Sequence, residues 1–70
     1  MNYLIIIEET THGYSAFSPD VPGCVSTGKT KNAVEKNIAE AIQFHLDGLR
    51  KEGYKIPLPH TYATNIKISA

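Results

Sequence analysis

Three histidines, one cysteine and seven acidic residues are the side chains of this 70-residue chain best suited to chemistry. Their spacing limits what they can do. Cys24 with His12 or His45 has the residue types of a thiol–imidazole dyad, but neither pairing carries a recognisable signature. A single small thiol is more ordinarily a buried core residue. A zinc site needs about four Cys, His or carboxylate ligands at close spacing. His12, His45 and His60 are far apart, and no two have ligand spacing. Ser15, Ser18 and Ser26 lack the context of a nucleophile elbow. Gly13, Gly23, Gly28, Gly48 and Gly53 form no phosphate-binding loop. His45 falls within an apolar helical stripe and reads as a core-edge residue rather than a base. The residues therefore predict no catalytic group, no cofactor and no metal.

Composition points toward binding instead. Seven basic residues balance seven acidic ones, so no basic stripe of the kind nucleic-acid binders show is visible. The longest apolar run, Tyr3 to Ile7, is far too short to span a bilayer. No basic segment leads into an apolar one, so no signal peptide is read. One unpaired cysteine suits a reducing compartment, and a cytoplasmic protein is expected. Seventy residues make one domain, 1–70, and a chain this short buries only about 60% of its unfolded surface. With no disulfide or metal in prospect, self-association or a partner is the expected extra source of stability.

These residues must be positioned by few elements. Tyr3–Ile7 is β-branched and aromatic, which predicts a first strand over about residues 2–9. Apolar residues on both faces mark it as central in a sheet. Residues 14–18, YSAFS, read as a second strand, and 25–27, VST, as a short third. From Thr30 the period changes: Val34, Ile38, Ala41, Ile42, His45, Leu46 and Leu49 recur at steps of three and four. That is one stripe of an amphipathic helix over about 31–51. Thr30 or Asn32 can cap its start, and Gly53 can close its end. Residues 63–69, ATNIKIS, alternate, with Ile66 and Ile68 on one face and Asn65 and Lys67 on the other. They read as a half-buried fourth strand. The order β-β-β-α-β predicts an α+β two-layer sandwich. If the fourth strand joins the first in parallel through a right-handed crossover, the sheet order is 3-2-1-4.

The densest feature is SPDVPGC, residues 18–24, which holds two prolines, a glycine and the only cysteine. Pro19 and Pro22 fix φ and remove two donors, Gly23 permits a tight turn, and Asp20 can accept hydrogen bonds from loop amides. A stiff architectural corner accounts for these choices without chemistry.

The same residues carry a resemblance. Residues 14–42 resemble the signature of the HicB-like antitoxins: an aromatic-rich strand, a PD(L/V)PGC loop, a G-x-T step and a helix bearing EAI or EAL. Pro19, Asp20, Val21, Pro22, Gly23 and Cys24 match the loop, Gly28 and Thr30 the step, and Asn37 with Glu40–Ile42 the helix. Lys29 and Asn32 depart from the family's usual acidic residues there. The resemblance implies a fold similar to a truncated ribonuclease H domain. Such nucleases hold paired metals between several carboxylates. Here the middle of the first strand is LIII, Glu8 and Glu9 stand only at its end, and Asp20 is alone. A degenerate nuclease is therefore the weakest reading.

The resemblance further implies an antitoxin that binds and occludes a HicA-like toxin, a protein that cleaves mRNA. Glu8, Glu9, Glu35, Glu40 and Asp47 are the acidic candidates for that contact, and each is also explicable as a solvated charge. Many family members continue into a DNA-binding domain. This chain stops after the fourth strand, so direct DNA binding is not expected of it. One helix covers one sheet face only, which leaves Leu4 and Ile6, or else Tyr3, Ile5 and Ile7, facing outward. Burying each contributes about 1.5–3 kcal/mol. Leu4 and Ile6 are the expected self-association face, and a symmetric dimer the expected assembly. The alternative function is a stand-alone oligomeric module binding another protein or a small ligand without a toxin.

Overall fold

The computed structural model describes residues 1–69. Three strands and one helix follow in order: β1 (Ile6–Thr10), β2 (Gly13–Phe17), β3 (Val25–Gly28) and α1 (Lys31–Lys51). The strands form an antiparallel meander with β2 in the middle. Register runs Ile7 against Ala16 against Ser26, and Ile6 against Phe17 against Val25. Because side chains alternate, Ile7 and Ala16 share the helix-facing side. Ile6, Phe17 and Val25 form an apolar row on the other.

Helix α1 begins as the Thr30 hydroxyl accepts from the Ala33 amide at 3.0 Å, so Thr30 and not Asn32 is the cap. It ends in a Schellman motif. The Gly53 amide donates to the Arg50 carbonyl and the Tyr54 amide to the Leu49 carbonyl, and Arg50 and Lys51 suit the negative end of the helix dipole. The helix buries Val34, Ile38, Ile42 and Leu46. These meet Ala16 of β2 and Val21 and Cys24 of the β2–β3 loop, with Tyr3, Ile5, Ile7, Tyr14, Leu49 and Ile56 packed around them. The helix lies over β3 and β2, so its flank beside β1 is less covered.

Gly28 permits that packing. A Cβ on Gly28 would stand 2.6 Å from the Val34 amide nitrogen and 2.9 Å from its Cα. Backbone of the first helical turn thus rests directly on β3.

Four linked expectations are corrected. Residues 63–69 form no strand among the described residues; they and Tyr62 are exposed throughout. The sheet is therefore β3-β2-β1 in place of 3-2-1-4. The first strand is consequently an edge strand rather than a central one, and its ladder starts at Ile6, not near residue 2. The reason lies in its neighbour. β2 ends at Phe17, opposite Ile6, and the chain then turns at Ser18–Val21, so Asn2 to Ile5 have no strand to pair with. The molecule is elongated, 49 × 27 × 16 Å along its principal axes. Its radius of gyration is 14.0 Å, against about 11 Å for a compact chain of this length.

Candidate functional site

The β2–β3 loop is built around two buried side chains of opposite character. Val21 is fully buried in the core, and Asp20 is 4% exposed. The Val21 amide donates to the Ser18 carbonyl and the Cys24 amide to the Val21 carbonyl. Gly23 turns the chain with φ +86°, a region in which side chains with a Cβ are strained. Pro19, Pro22 and Gly23 are exposed at the rim, while Cys24 closes onto the core.

Asp20 does not serve its own loop. Its Oδ2 accepts from the His60 amide at 3.0 Å and the Thr61 amide at 3.0 Å. Its Oδ1 accepts from the Thr61 hydroxyl at 2.7 Å, and the exposed His60 ring places Nε2 3.1 Å away. The Thr61 hydroxyl and the two amides hold the carboxyl below its ordinary value, against the opposing effect of burial, with the His60 charge adding last. A carboxylate that accepts several such donors is stabilised in its charged form. The loop is thus a clamp for the chain that follows the helix. A second fastening lies nearby, where the Tyr3 hydroxyl donates to the Pro57 carbonyl.

Cys24 and His45 both line a cleft of ≈ 510 Å³ beside the C-terminal half of α1. No hydrogen bond joins them among the described residues, and burial pushes the Cys24 thiol up. A protonated thiol is a poor nucleophile. His12 sits in the exposed β1–β2 turn, and no hydrogen bond joins it to Cys24 among the described residues.

Aromatic and apolar groups rim this cleft. Phe44 is 82% exposed, Val25 67% and Tyr54 65%. Sequence reasoning missed Phe44, although the signal was there: it stands off the apolar stripe of an otherwise amphipathic helix.

A second cleft, of ≈ 440 Å³, opens on the opposite flank of α1 beside the free edge of β1. Tyr3, Ile5 and Ile7 line one wall, and Ala39, Ile42 and Leu46 the other. Of the two alternatives for the first strand, Tyr3, Ile5 and Ile7 thus face the helix. Leu4 and Ile6 occupy the outer face and are half-buried.

The five acidic candidates do not converge. Glu8 is on the outer sheet face opposite Ser15. Glu9 lies near Tyr14 and Lys31, and Glu35 borders the β1-side cleft. Glu40 and Asp47, seven residues apart, share the solvent face of α1, where Asp47 accepts from Gln43 at 3.0 Å and pairs with Arg50 at 3.3 Å. Among the described residues, no helix is long and apolar enough to cross a membrane.

A three-stranded meander backed by one helix, with apolar clefts along both flanks of that helix, defines a small α+β domain. Residues 3–68 match the family described as the HicB-like antitoxin of bacterial toxin–antitoxin systems, and the chain belongs to that family. It is similar to an uncharacterized protein of the rep-hol intergenic region of Haemophilus phage HP1, with 42% identity over 81% of this chain and 43% of that protein. A UPF0150 protein of Thermoplasma acidophilum is 41% identical over 81% of this chain and 84% of its own length. Among solved structures, a chain of the HicA3 and HicB3 toxin-antitoxin complex superposes with TM-score 0.71 and 35% identity over 84% of this chain and 70% of that one. The crystal structure of antitoxin HicB3 matches with TM-score 0.70 and 37% identity over 81% of this chain and 42% of that one. The chain thus spans less than half the length of the phage protein and of antitoxin HicB3.

Proposed function

We propose that this chain is the antitoxin of a toxin–antitoxin pair and acts by binding and occluding a HicA-like, RNA-cleaving toxin in the cytoplasm. The observation that carries the proposal is the 35% identity and TM-score of 0.71 with a chain of a toxin-antitoxin complex. The proposed mode is steric. The apolar rim of Val25, Phe44 and Tyr54 supplies the kind of aromatic contact that dominates protein interfaces. Glu40 and Asp47, on the solvent face of α1 with Phe44, steer a basic toxin surface toward it, chiefly through the association rate; Glu8, Glu9 and Glu35 add negative charge elsewhere on the surface. Pro19, Asp20, Pro22, Gly23, Cys24, Gly28 and Thr30 serve this role structurally, by fixing the loop and the helix start. No turnover is part of this reading: the Cys24 thiol is held protonated and the Asp20 carboxylate is committed to His60 and Thr61. The truncated ribonuclease H-like architecture belongs to the same proposal.

Co-expression with the small basic chain encoded beside it tests the reading. Rescue of growth and co-purification of the two chains support it; a toxic neighbour that is neither bound nor neutralised overturns it. Within a complex, Phe44→Ala should weaken binding about tenfold or more, as loss of a central aromatic anchor does. Glu40→Lys with Asp47→Lys should chiefly slow association and alter its salt dependence.

A further inference from the structure

The edge of β1 is the unfinished part of this fold. Among the described residues β1 pairs only with β2, which leaves the peptide groups along its other side without a strand. An exposed edge of this kind is a template for another one. Behind it lies the β1-side cleft, whose walls are Ile5, Ile7, Ile42 and Leu46. A strand laid along the edge would turn every second side chain into that cleft.

The chain carries a segment with this pattern and no place in its own sheet. Ile66 and Ile68 are 73% and 75% exposed, alternate with Asn65 and Lys67, and belong to no strand. The segment's root is fixed at the β2–β3 loop. After the helix, the chain passes Tyr3 at Pro57 and is then clamped to Asp20, between β2 and β3, at Thr61. Residues 62–69 leave the body from there.

We propose that residues 63–69 of one copy add as a strand to the free edge of β1 in a second copy, with Ile66 and Ile68 seated in its cleft, and that the exchange is reciprocal. Two identical exchanges about a two-fold axis cover both vacant edges and both arms, which is the self-complementary logic of a symmetric dimer. Asn65 and Lys67 then lie toward the outer face, on the side of Leu4, Ile6 and Glu8. The occupant is a second copy because the complementary pieces, a vacant edge with its apolar cleft and an alternating unpaired arm, are both present in one chain.

Light scattering of the full chain at tens of micromolar tests this. The wild type should show twice the 7.7 kDa mass of one chain, and Ile66→Asn with Ile68→Asn should return it to the mass of one. Lys67→Pro is a second route. It removes a ladder donor while keeping both isoleucines, and should weaken the dimer at least tenfold. Neither change touches the core, so the helical circular dichroism should be retained. In the wild type, the outward amides of β1 should exchange at least tenfold more slowly than in either variant. A wild type with the mass of one chain, whether its arm is free or folded back on its own β1, overturns the proposal. So does a doubled mass that survives both variants.

Discussion

The Thr61 hydroxyl donates to the Asp20 carboxylate at 2.7 Å across 41 positions of sequence, and the two adjacent amides, of His60 and Thr61, donate to the same group. One buried side chain in the β2–β3 loop thereby decides where the chain after the helix runs. Its effect on stability has a definite pH dependence. The folded value of Asp20 lies below its ordinary 3.8, so just under that pH the unfolded chain holds the proton and the folded one does not. The contribution is complete above 3.8 and is lost as pH falls through the lowered folded value. Thermal melts from neutral pH down into the acid range should show that decline. Asp20→Asn should flatten it, lower the melting temperature by several degrees at neutral pH, and speed exchange of the His60 and Thr61 amides.

Gly28→Ala should be among the most damaging single changes for its size. The added methyl would stand 2.6 Å from the Val34 nitrogen, and the obstacle is backbone at a helix start, which cannot rotate aside. Overpacking of this sort costs about 1–3 kcal/mol. Urea denaturation should show the loss as a lower midpoint.

Thr30→Ala should cost about 1 kcal/mol, the usual value of an N-cap side chain, because the Ala33 amide loses its acceptor. Thr30→Ser should recover most of it. Asn32→Ala should have little effect, since Asn32 is exposed and does not cap the helix.

Ser18 presents the opposite case. Its hydroxyl is buried with no hydrogen-bond partner among the described residues. A buried, unpaired polar group costs about 1–3 kcal/mol, so Ser18→Ala should be neutral or raise the melting temperature. A marked loss of stability would show that the hydroxyl has a partner in solution.

The sequence revealed some of these features and hid others for a physical reason in each case. The helix was legible to its ends because its signals are local: a stripe of period 3.6, a Thr at the start and a Gly after the last turn. The meander was legible from the turn residues and from the short connection between the first two strands. The alternation of Ile66 and Ile68 was also legible, but alternation states only that a segment suits a sheet, not which sheet. That is why the predicted fourth strand is absent from the single chain. Asp20 was recognised as an acceptor and assigned the wrong donors. Its partners are 40 and 41 residues away, and no local pattern links Asp20 to Thr61. Phe44 stands off the stripe, and periodicity marks only the residues that lie on it. The acidic candidates could be named from sequence, but their dispersal over the sheet and helix could not.

The clamp at Thr61 also acts as a ruler. Among the described residues, 62–69 follow it, and an extended chain advances about 3.3 Å per residue. Whatever the side chains of residues 62–69 grip must lie within roughly 26 Å of their root at Asp20. Lengthening the stretch between Gly53 and the clamp would leave that radius unchanged. Moving the clamp by a few residues would reset it.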